Sequence, residues 1–305
     1  MAVLNLLAPI FLIIALGAAL QRGGMLAGPV VAGINKLLFW VGLPAAVFSA
    51  LVTGAGGNEG AGALLLAMLG GTALTAVLAW WGGPLLGVQA RARGTFTQGA
   101  FRSNLSFIAL PLLLSVPGVP IGQAMLTFAP MLLLNNAVAV WVLLASQDEV
   151  GGRMWRRIGL GVVRNPIILA SVTGLAARLA GWTPPVALLT TLQSLGRMAL
   201  PLALLCIGAA LMTVPVKGNR RLPLIAAGFK VLLSPLLGYG LGRLLGLDAA
   251  AMLVLLICLS CPTAAVSHTM VKQMGGDEGM AATTVVFASI GGAVSLAVVL
   301  AQFAG

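Results

Sequence analysis

Apolar stretches of about 20 residues recur along the whole 305-residue chain. As an α-helix, each is long enough to cross a hydrocarbon core of roughly 30 Å. Only 8% of the residues are charged and 60% are hydrophobic, whereas soluble domains carry about 25% charged residues. The sequence therefore predicts an all-α integral membrane protein. Ten spans are predicted, at residues 3–20, 29–53, 61–88, 95–115, 118–146, 158–180, 184–213, 221–246, 249–272 and 279–303.

The first span and the connectors indicate that the whole chain is membrane domain. The first span has no basic flank before it and no A-x-A-like cleavage site after it, so we expect a retained helix, not a removable signal peptide. The longest polar connector is residues 147–157. Because it is so short, no appended soluble domain is expected.

Basic residues in the connectors predict the orientation in the membrane. Connectors after even-numbered spans hold only Arg178 and Arg243, and those after odd-numbered spans hold Arg22, Arg91, Arg93, Arg153, Arg156, Arg157, Lys217, Arg220, Arg221 and Lys272. By the positive-inside rule the odd-numbered connectors are cytoplasmic, and both termini lie outside. Topology thus accounts for most of the formal charge of +11, and no nucleic acid partner is expected.

The cysteines do not predict a metal or redox centre. Cys258 and Cys261 form a C-x-x-C motif, and His268 follows seven residues later. A structural metal site would need a fourth ligand, which the surrounding sequence lacks. We interpret these cysteines as small side chains packed between helices, and we expect no cofactor, metal or disulfide.

The chain aligns with itself at a shift of 157 residues. The aligned pairs are PIFLIIALGAALQRGG (9–24) with PIILASVTGLAARLAG (166–181), VGLPAA with MALPLA around Pro44 and Pro201, and SNLSFIALP (103–111) with SCPTAAVSH (260–268). Two five-span halves follow, residues 1–146 and 158–305, joined by the connector 147–157. An odd number of spans inverts the second half, which predicts a 5+5 inverted repeat. Such repeats are typical of secondary transporters, whose sites lie where discontinuous helices of the two halves meet.

The fourth and ninth spans are the predicted discontinuous helices. Their proline and polar residues are Asn104, Ser106 and Pro111 in the fourth span and Pro262, Thr263, Ser267 and His268 in the ninth. A proline inside a helix costs about 3 kcal/mol and frees backbone groups. Within a bilayer such a break survives only where it is buried in protein or lines a wet cavity. The alternative is a pair of proline kinks without a ligand.

Charge inside the predicted spans favours an anionic ligand. The acidic residues all lie in connectors or at their edges, so no carboxylate remains for a midplane proton relay or a carboxylate sodium site. Basic residues within spans are Lys36, Arg102, Arg164, Arg197 and Lys230. Arg197 is the deepest of these along its span, whereas the others could snorkel to the cytoplasmic face. Positive groups, amides and helix N-termini without carboxylates suit an anion.

Five segments in order carry a resemblance to a known family. They are INKLLFWVGLPAAVF (34–48), QGAFRSNLSFIALPLL (98–113), NPIILASVTGL (165–175), LGRMALPLALLCIGAAL (195–211) and PTAAVSHTMVKQMGGD (262–277). Together they resemble the auxin efflux carrier family, which includes bacterial malate-permease-like proteins and the plant auxin carriers. The resemblance implies a ten-helix inverted-repeat carrier, usually a homodimer. It also implies a scaffold of spans 1, 2, 6 and 7, and elevator-like motion of the other spans about crossed helices 4 and 9.

The resemblance also implies site residues. Asn104 and Pro111 match the asparagine and proline of the first crossover helix, and Pro262 matches the proline of the second. This chain has Val266 where many bacterial relatives have an asparagine just before the position of Ser267. Compensation would come from Asn135 and Asn136, or from Ser267 and His268. We interpret His268 as a packed neutral imidazole in preference to a proton carrier.

The sequence as a whole predicts a secondary transporter of a small organic anion in the plasma membrane, a bacterial inner membrane. The anion would be a malate- or auxin-like mono- or dicarboxylate that meets Asn104, Thr263 and Ser267, with Arg197 supplying attraction at longer range. One alternative is a sodium-coupled organic anion symporter of the bile-acid type, which has a related fold. An intramembrane enzyme is disfavoured, because adjacent Ser267 and His268 on a helix do not face each other.

Overall fold

The computed structural model describes residues 2–53, 60–147, 164–213 and 220–303. In these ranges the chain is helical, with one isolated β-bridge in place of any sheet. Six helices are long and apolar enough to cross a membrane: Gly28–Thr53, Ala61–Gly82, Ile121–Ala145, Val186–Ala210, Arg221–Leu244 and Glu278–Phe303. Shorter apolar helices lie at the other predicted spans. The predicted all-helical, multi-pass class is therefore confirmed. The predicted connector 147–157 lies, beyond Gln147, outside the described residues, as does the start of the sixth span.

The helices are numbered here in chain order. They are α1 (Ala2–Arg22), α2 (Gly28–Thr53), α3 (Ala61–Gly82), α4 (Ala90–Phe101), α5 (Leu105–Ser115), α6 (Ile121–Ala145), α7 (Pro166–Leu179), α8 (Val186–Arg197), α9 (Ala199–Thr213), α10 (Arg221–Leu244), α11 (Ala249–Ser260), α12 (Val266–Gln273) and α13 (Glu278–Phe303).

One group of helices packs through small residues. Helix α1 lies along α9, and α2 packs on α7 and α8. Gly17 of α1 faces the backbone of Leu205 so closely that a Cβ at this position would collide with it. Gly196 of α8 approaches Ala46 of α2 in the same way. Close backbone approach at glycine is a usual means of helix association in membranes.

The second group surrounds the fourth and ninth predicted spans. Helix α3 packs on α4, α6, α10 and α11, while α4 also contacts α6, α10 and α13. The α11 helix is buried from Ala251 to Ser260, as expected of a helix that is apolar on every side. Contacts between the two groups are made mainly by α2 with α6, α6 with α7, and α9 with α5.

Three helices contain a π-helical turn just before a proline. The turns are Leu38–Gly42 in α2, Leu105–Ala109 in α5 and Phe229–Leu233 in α10. They are followed by Pro44, Pro111 and Pro235. A proline ring clashes with the carbonyl four residues earlier, and a widened turn makes room for it. Helix α2 therefore continues past Pro44 with a local change of pitch.

The fourth and ninth spans are interrupted. Helix α4 ends at Phe101, and α5 begins at Leu105, with Arg102 extended at φ −74°, ψ 101°. Helix α11 ends at Ser260, and Cys261 is extended at φ −56°, ψ 138° because a residue before proline avoids helical geometry. Both interruptions fall inside apolar spans, so their backbone groups need partners within the protein.

Candidate functional site

The two interruptions pair with each other. Ser103 and Thr263 form an antiparallel bridge. The Asn104 N–H donates to the Pro262 carbonyl at 2.9 Å, and the Ala264 N–H donates to the Arg102 carbonyl at 3.2 Å. Each break thus satisfies backbone groups of the other, which is how non-helical backbone can persist at membrane depth. The helix ends α4, α5, α11 and α12 consequently meet at one place.

Side-chain hydrogen bonds stabilise this crossing, the place where the break at residues 102–104 pairs with the break at residues 262–264. Thr263 Oγ1 donates to the Gly99 carbonyl at 2.7 Å, which ties the ninth-span break to α4. Lys230 of α10 is fully buried, and its Nζ donates to the Leu259 carbonyl. In an unbroken helix that carbonyl would accept from the Thr263 N–H. The Lys230 ammonium therefore replaces a hydrogen bond that the break removes, at the negative end of α11.

Arg102 is a buried cation with only neutral partners among the described residues. The residue is 6% exposed. Its guanidinium donates to Asn136 Oδ1 at 2.8 Å and to Ser267 Oγ at 3.3 Å. The single ion pair in the described ranges, between Lys272 and Glu278, lies at the surface. A buried guanidinium without a carboxylate calls for an anion or further polar partners.

A cavity of about 280 Å³ opens next to Arg102. Its polar lining consists of Arg102, Ser103, Asn104, Ser106, Asn135, Asn136 and Asn165. These residues come from the α4–α5 break, from α6 and from the start of α7. The positive N-terminal end of α5 also lies here, since Leu105, Ser106 and Phe107 line the cavity.

Several amides in this cavity have donors to spare. Asn104 Oδ1 accepts from the Phe107 N–H at 3.3 Å, and Asn165 Oδ1 accepts from the Ile167 N–H at 2.9 Å. Asn136 Oδ1 accepts from Arg102. In all three residues the side-chain oxygen is used, and within the described ranges the Nδ2 group has no acceptor. Three such amides and a guanidinium line one cavity, which makes it a donor-rich site of the kind that binds a carboxylate.

Asn135 has a different role from its neighbour. Its Oδ1 accepts from the Ser103 N–H at 3.3 Å and its Nδ2 donates to the Met131 carbonyl at 3.0 Å. Both ends of this amide are therefore engaged. Asn135 holds the α4–α5 break against α6.

Part of the cavity wall is apolar. Phe39 from the π-helical turn of α2 lies 6.4 Å from Phe107, measured between ring centroids. Leu105, Leu132, Ala264 and Val266 complete this apolar wall. The cavity therefore combines polar and positively charged residues with apolar ones, a composition that suits a small amphipathic anion.

The predicted site residues separate into distinct places. Asn104, Ser106, Asn135 and Asn136 line the cavity, with Ser267 behind it as an acceptor for Arg102. Pro262 and Thr263 form the crossing itself. The Thr263 hydroxyl hydrogen is engaged with Gly99, so this group fastens the backbone.

Pro111 and Arg197 lie elsewhere. They line a second cavity of about 350 Å³, together with Ser49, Thr53, Ser115 and Gln193. Arg197 is exposed at the end of α8. His268 is half-buried on α12, lines neither cavity and has no hydrogen-bond partner for its imidazole among the described residues.

Three polar residues of the cavity, Arg102, Ser103 and Asn165, were not among the predicted site residues. Arg102 was placed with the basic residues that could snorkel, but its guanidinium and the Lys230 ammonium are both held inside the bundle, so snorkelling is wrong for these two. The signal for Arg102 was its position directly before the Ser103–Asn104 break. Asn165 was also missed, although an asparagine before a proline is a typical start of a helix.

The cysteines are packing residues here. Cys206, Cys258 and Cys261 are free and buried. Within the described ranges, no group of three or more His, Cys, Asp or Glu side chains could hold a metal ion.

Interrupted helices that meet beside a polar cavity, in a bundle of apolar helices, are typical of membrane transport proteins. The model of the membrane transport protein family matches residues 153–300 and confirms the resemblance to the auxin efflux carrier and malate-permease-like family. Members of this family are transporters and not enzymes. A comparison with curated proteins finds no match to this chain.

Proposed function

We propose that this protein is a secondary transporter of a small organic anion, which binds in the cavity beside Arg102. The observation that carries the proposal is that the buried Arg102 lines one cavity together with Asn104, Asn136 and Asn165, whose Nδ2 groups have no acceptor among the described residues. A carboxylate would accept hydrogen bonds from Arg102 and from the Nδ2 groups of Asn104, Asn136 and Asn165. The apolar wall at Phe39 and Phe107 would hold the rest of the ligand.

The proposed architecture has ten membrane-spanning segments in a 5+5 inverted repeat. It counts α4 with α5 and α11 with α12 as interrupted spans, and α8 with α9 as one span with a turn at Met198. The support is the antiparallel pairing of Ser103 with Thr263, because two oppositely inserted halves bring their breaks together in this sense. We place the protein in the plasma membrane with both termini outside, as a homodimer.

The proposed mechanism is elevator-type alternating access. Arg102, Asn104 and Asn136 belong to the group of helices around the crossing, while Phe39 and Asn165 belong to the group formed by α1, α2, α7, α8 and α9. The anion would thus bind between the two groups, and sliding of one against the other would change its access. Under the predicted topology the Arg102 cavity faces the cytoplasm and the Arg197 cavity faces outside, where Arg197 would attract the anion.

Uptake into proteoliposomes tests this proposal. The labelled panel is acetate, benzoate, succinate and L-malate, with sodium present or replaced by potassium. We expect Asn104→Ala to lose uptake of the transported anion while it keeps its expression and monodispersity. The matched control is Asn35→Ala on α2, outside the cavity. Unchanged uptake by Asn104→Ala would remove the crossing from the site, and dependence on sodium would favour the symporter.

A further inference from the structure

We infer that this carrier is an obligatory anion exchanger: a bound anion supplies the counter-charge that the buried Arg102 otherwise lacks, and the empty carrier does not return. This inference rests on the proposed function and deepens it. It concerns how transport is coupled, which the family match leaves open.

The first step is the absence of a resident counter-ion near Arg102 in the described ranges. The elements packed on α4 are α3, α6, α10, α12 and α13. Their charged or titratable side chains are Arg221, Lys230, Arg243, His268, Lys272 and Glu278, besides the Tyr239 phenol. Glu278, the carboxylate among them, is 50% exposed and paired with Lys272.

Asp277 approaches the other end of α4. Its N–H donates to Thr95 Oγ1 at 3.1 Å, and its Oδ1 accepts from the Met280 N–H at 2.9 Å. Thr95 precedes Arg102 by two helical turns, which is about 10 Å along the axis. Asp277 therefore caps α13 and does not neutralise Arg102.

The second step is that Arg102 cannot shed its charge. A guanidinium stays protonated in proteins, whereas a buried lysine readily becomes neutral. Lys230 is therefore able to adjust its charge to its surroundings, and Arg102 is not. Arg102 is the fixed positive charge of the crossing.

The third step is the path of that charge. Arg102 lines a cavity that residues of both helix groups share, and Phe39 of the other group belongs to its apolar wall. Relocation without an anion would carry an uncompensated charge past this apolar wall. Desolvation of an unpaired ion is costly, and a bound carboxylate offsets it. The loaded carrier crosses readily and the empty carrier does not.

The test compares net uptake with exchange in proteoliposomes that hold the intact chain. Vesicles contain either unlabelled carboxylates of the same panel or a buffer with Hepes as the sole anion. Valinomycin and equal potassium on both sides hold the membrane potential at zero. We expect uptake of the labelled panel to be at least about tenfold faster into carboxylate-loaded vesicles.

Two variants assign the effect to Arg102. Arg102→Lys keeps a cation that can lose its proton, so the ratio of exchange to net uptake should fall toward one as pH rises. The wild-type ratio should stay constant over the same range. Lys230→Met removes the hydrogen bond to the Leu259 carbonyl and should lower thermal stability, but in the folded variant the ratio should stay unchanged because Arg102 keeps the fixed charge.

The outcomes separate this inference from the proposed function. Equal uptake into loaded and unloaded wild-type vesicles would overturn the exchange inference and leave the transporter in place. Relief of the requirement by Lys230→Met would contradict its assignment to Arg102. No uptake under either loading would contradict the proposed function, and the inference with it. If Arg102→Lys fails to fold, the ratio of exchange to net uptake in the wild-type protein decides whether the exchange inference holds.

Discussion

Ser103 and Thr263, which lie 160 residues apart in the sequence, face each other across the antiparallel bridge that joins the two helix interruptions. The bridge gives each interruption the backbone partners that its own helix no longer supplies. It also fixes Arg102 and Asn104, the residues on either side of Ser103, at the wall of the cavity. The stability of the crossing and the geometry of the site therefore depend on the same contacts.

Thr263→Val tests the attachment of the crossing to α4. The substitution preserves shape but removes the hydrogen bond to the Gly99 carbonyl, and it leaves that buried acceptor without a partner. We expect a loss of about 1–3 kcal/mol in the free energy of unfolding, measured as a lower midpoint of thermal unfolding in detergent. The control is Thr191→Val, whose exposed hydroxyl donates to Ala187 within its own helix. Equal midpoints for the two variants would contradict the structural role of Thr263.

Asn165→Asp separates helix capping from anion binding. Aspartate keeps the oxygen that caps α7, and its negative charge suits a helix N-terminus. It also places a carboxylate in the cavity where the anion is proposed to bind beside Arg102. We expect unchanged thermal stability and at least about tenfold weaker anion binding, from self-neutralisation of the site. Asn165→Ala should instead lower the thermal stability, because it removes the cap of α7, and should weaken anion binding less than Asn165→Asp does.

Val266→Asn tests the departure from the family pattern. Val266 is 46% exposed and lines the cavity, and the family resemblance implies an asparagine at this position. An added amide should strengthen binding of the more polar anions of the panel, succinate and malate, relative to benzoate. The control is Val266→Leu, which keeps the wall apolar and should not change that order. The ratio of dissociation constants for malate and benzoate is the measurement, and an unchanged ratio in Val266→Asn would argue against this wall as a ligand contact.

Arg197→Gln tests the second cavity. Because Arg197 is exposed and lies apart from the amide cluster, we expect it to attract the anion at long range. Its loss should raise the KM for uptake by about threefold, leave the maximal rate intact and weaken the dependence on ionic strength. Loss of the maximal rate would show instead that Arg197 takes part in the translocation step.

Cysteine labelling tests the proposed orientation. In a background without Cys206, Cys258 and Cys261, an impermeant reagent should label Pro117→Cys and Thr183→Cys from outside the cell. It should label Gln89→Cys only after the membrane is opened. All three positions are exposed. The opposite pattern would invert the topology and exchange the sides assigned to the two cavities.

Much of the fold could be predicted from the sequence because hydropathy reports membrane spans directly. The ninth-span break was also predictable, since the residue before Pro262 is biased away from helical geometry, whereas the helix at Pro44 continues. The partner of Arg102 was not predictable, because it depends on how α4, α6 and α12 pack. The position of Arg197 near the middle of its predicted span favoured it over Arg102 as the membrane-buried cation. Packing instead buries Arg102 and leaves Arg197 exposed. Thr263 was expected to meet the ligand, but the structure commits its hydroxyl to Gly99.

The most direct test of the central claim is equilibrium binding of the panel carboxylate that binds wild-type protein most tightly, measured on three purified variants. Arg102→Gln should weaken binding by at least about 30-fold, the consequence of removing one partner of a buried charge pair. Arg243→Gln, which alters an exposed arginine at the end of α10, should bind like wild type. Arg197→Gln should change the dissociation constant by no more than about threefold. Wild-type affinity in folded Arg102→Gln would contradict the placement of the anion at the crossing.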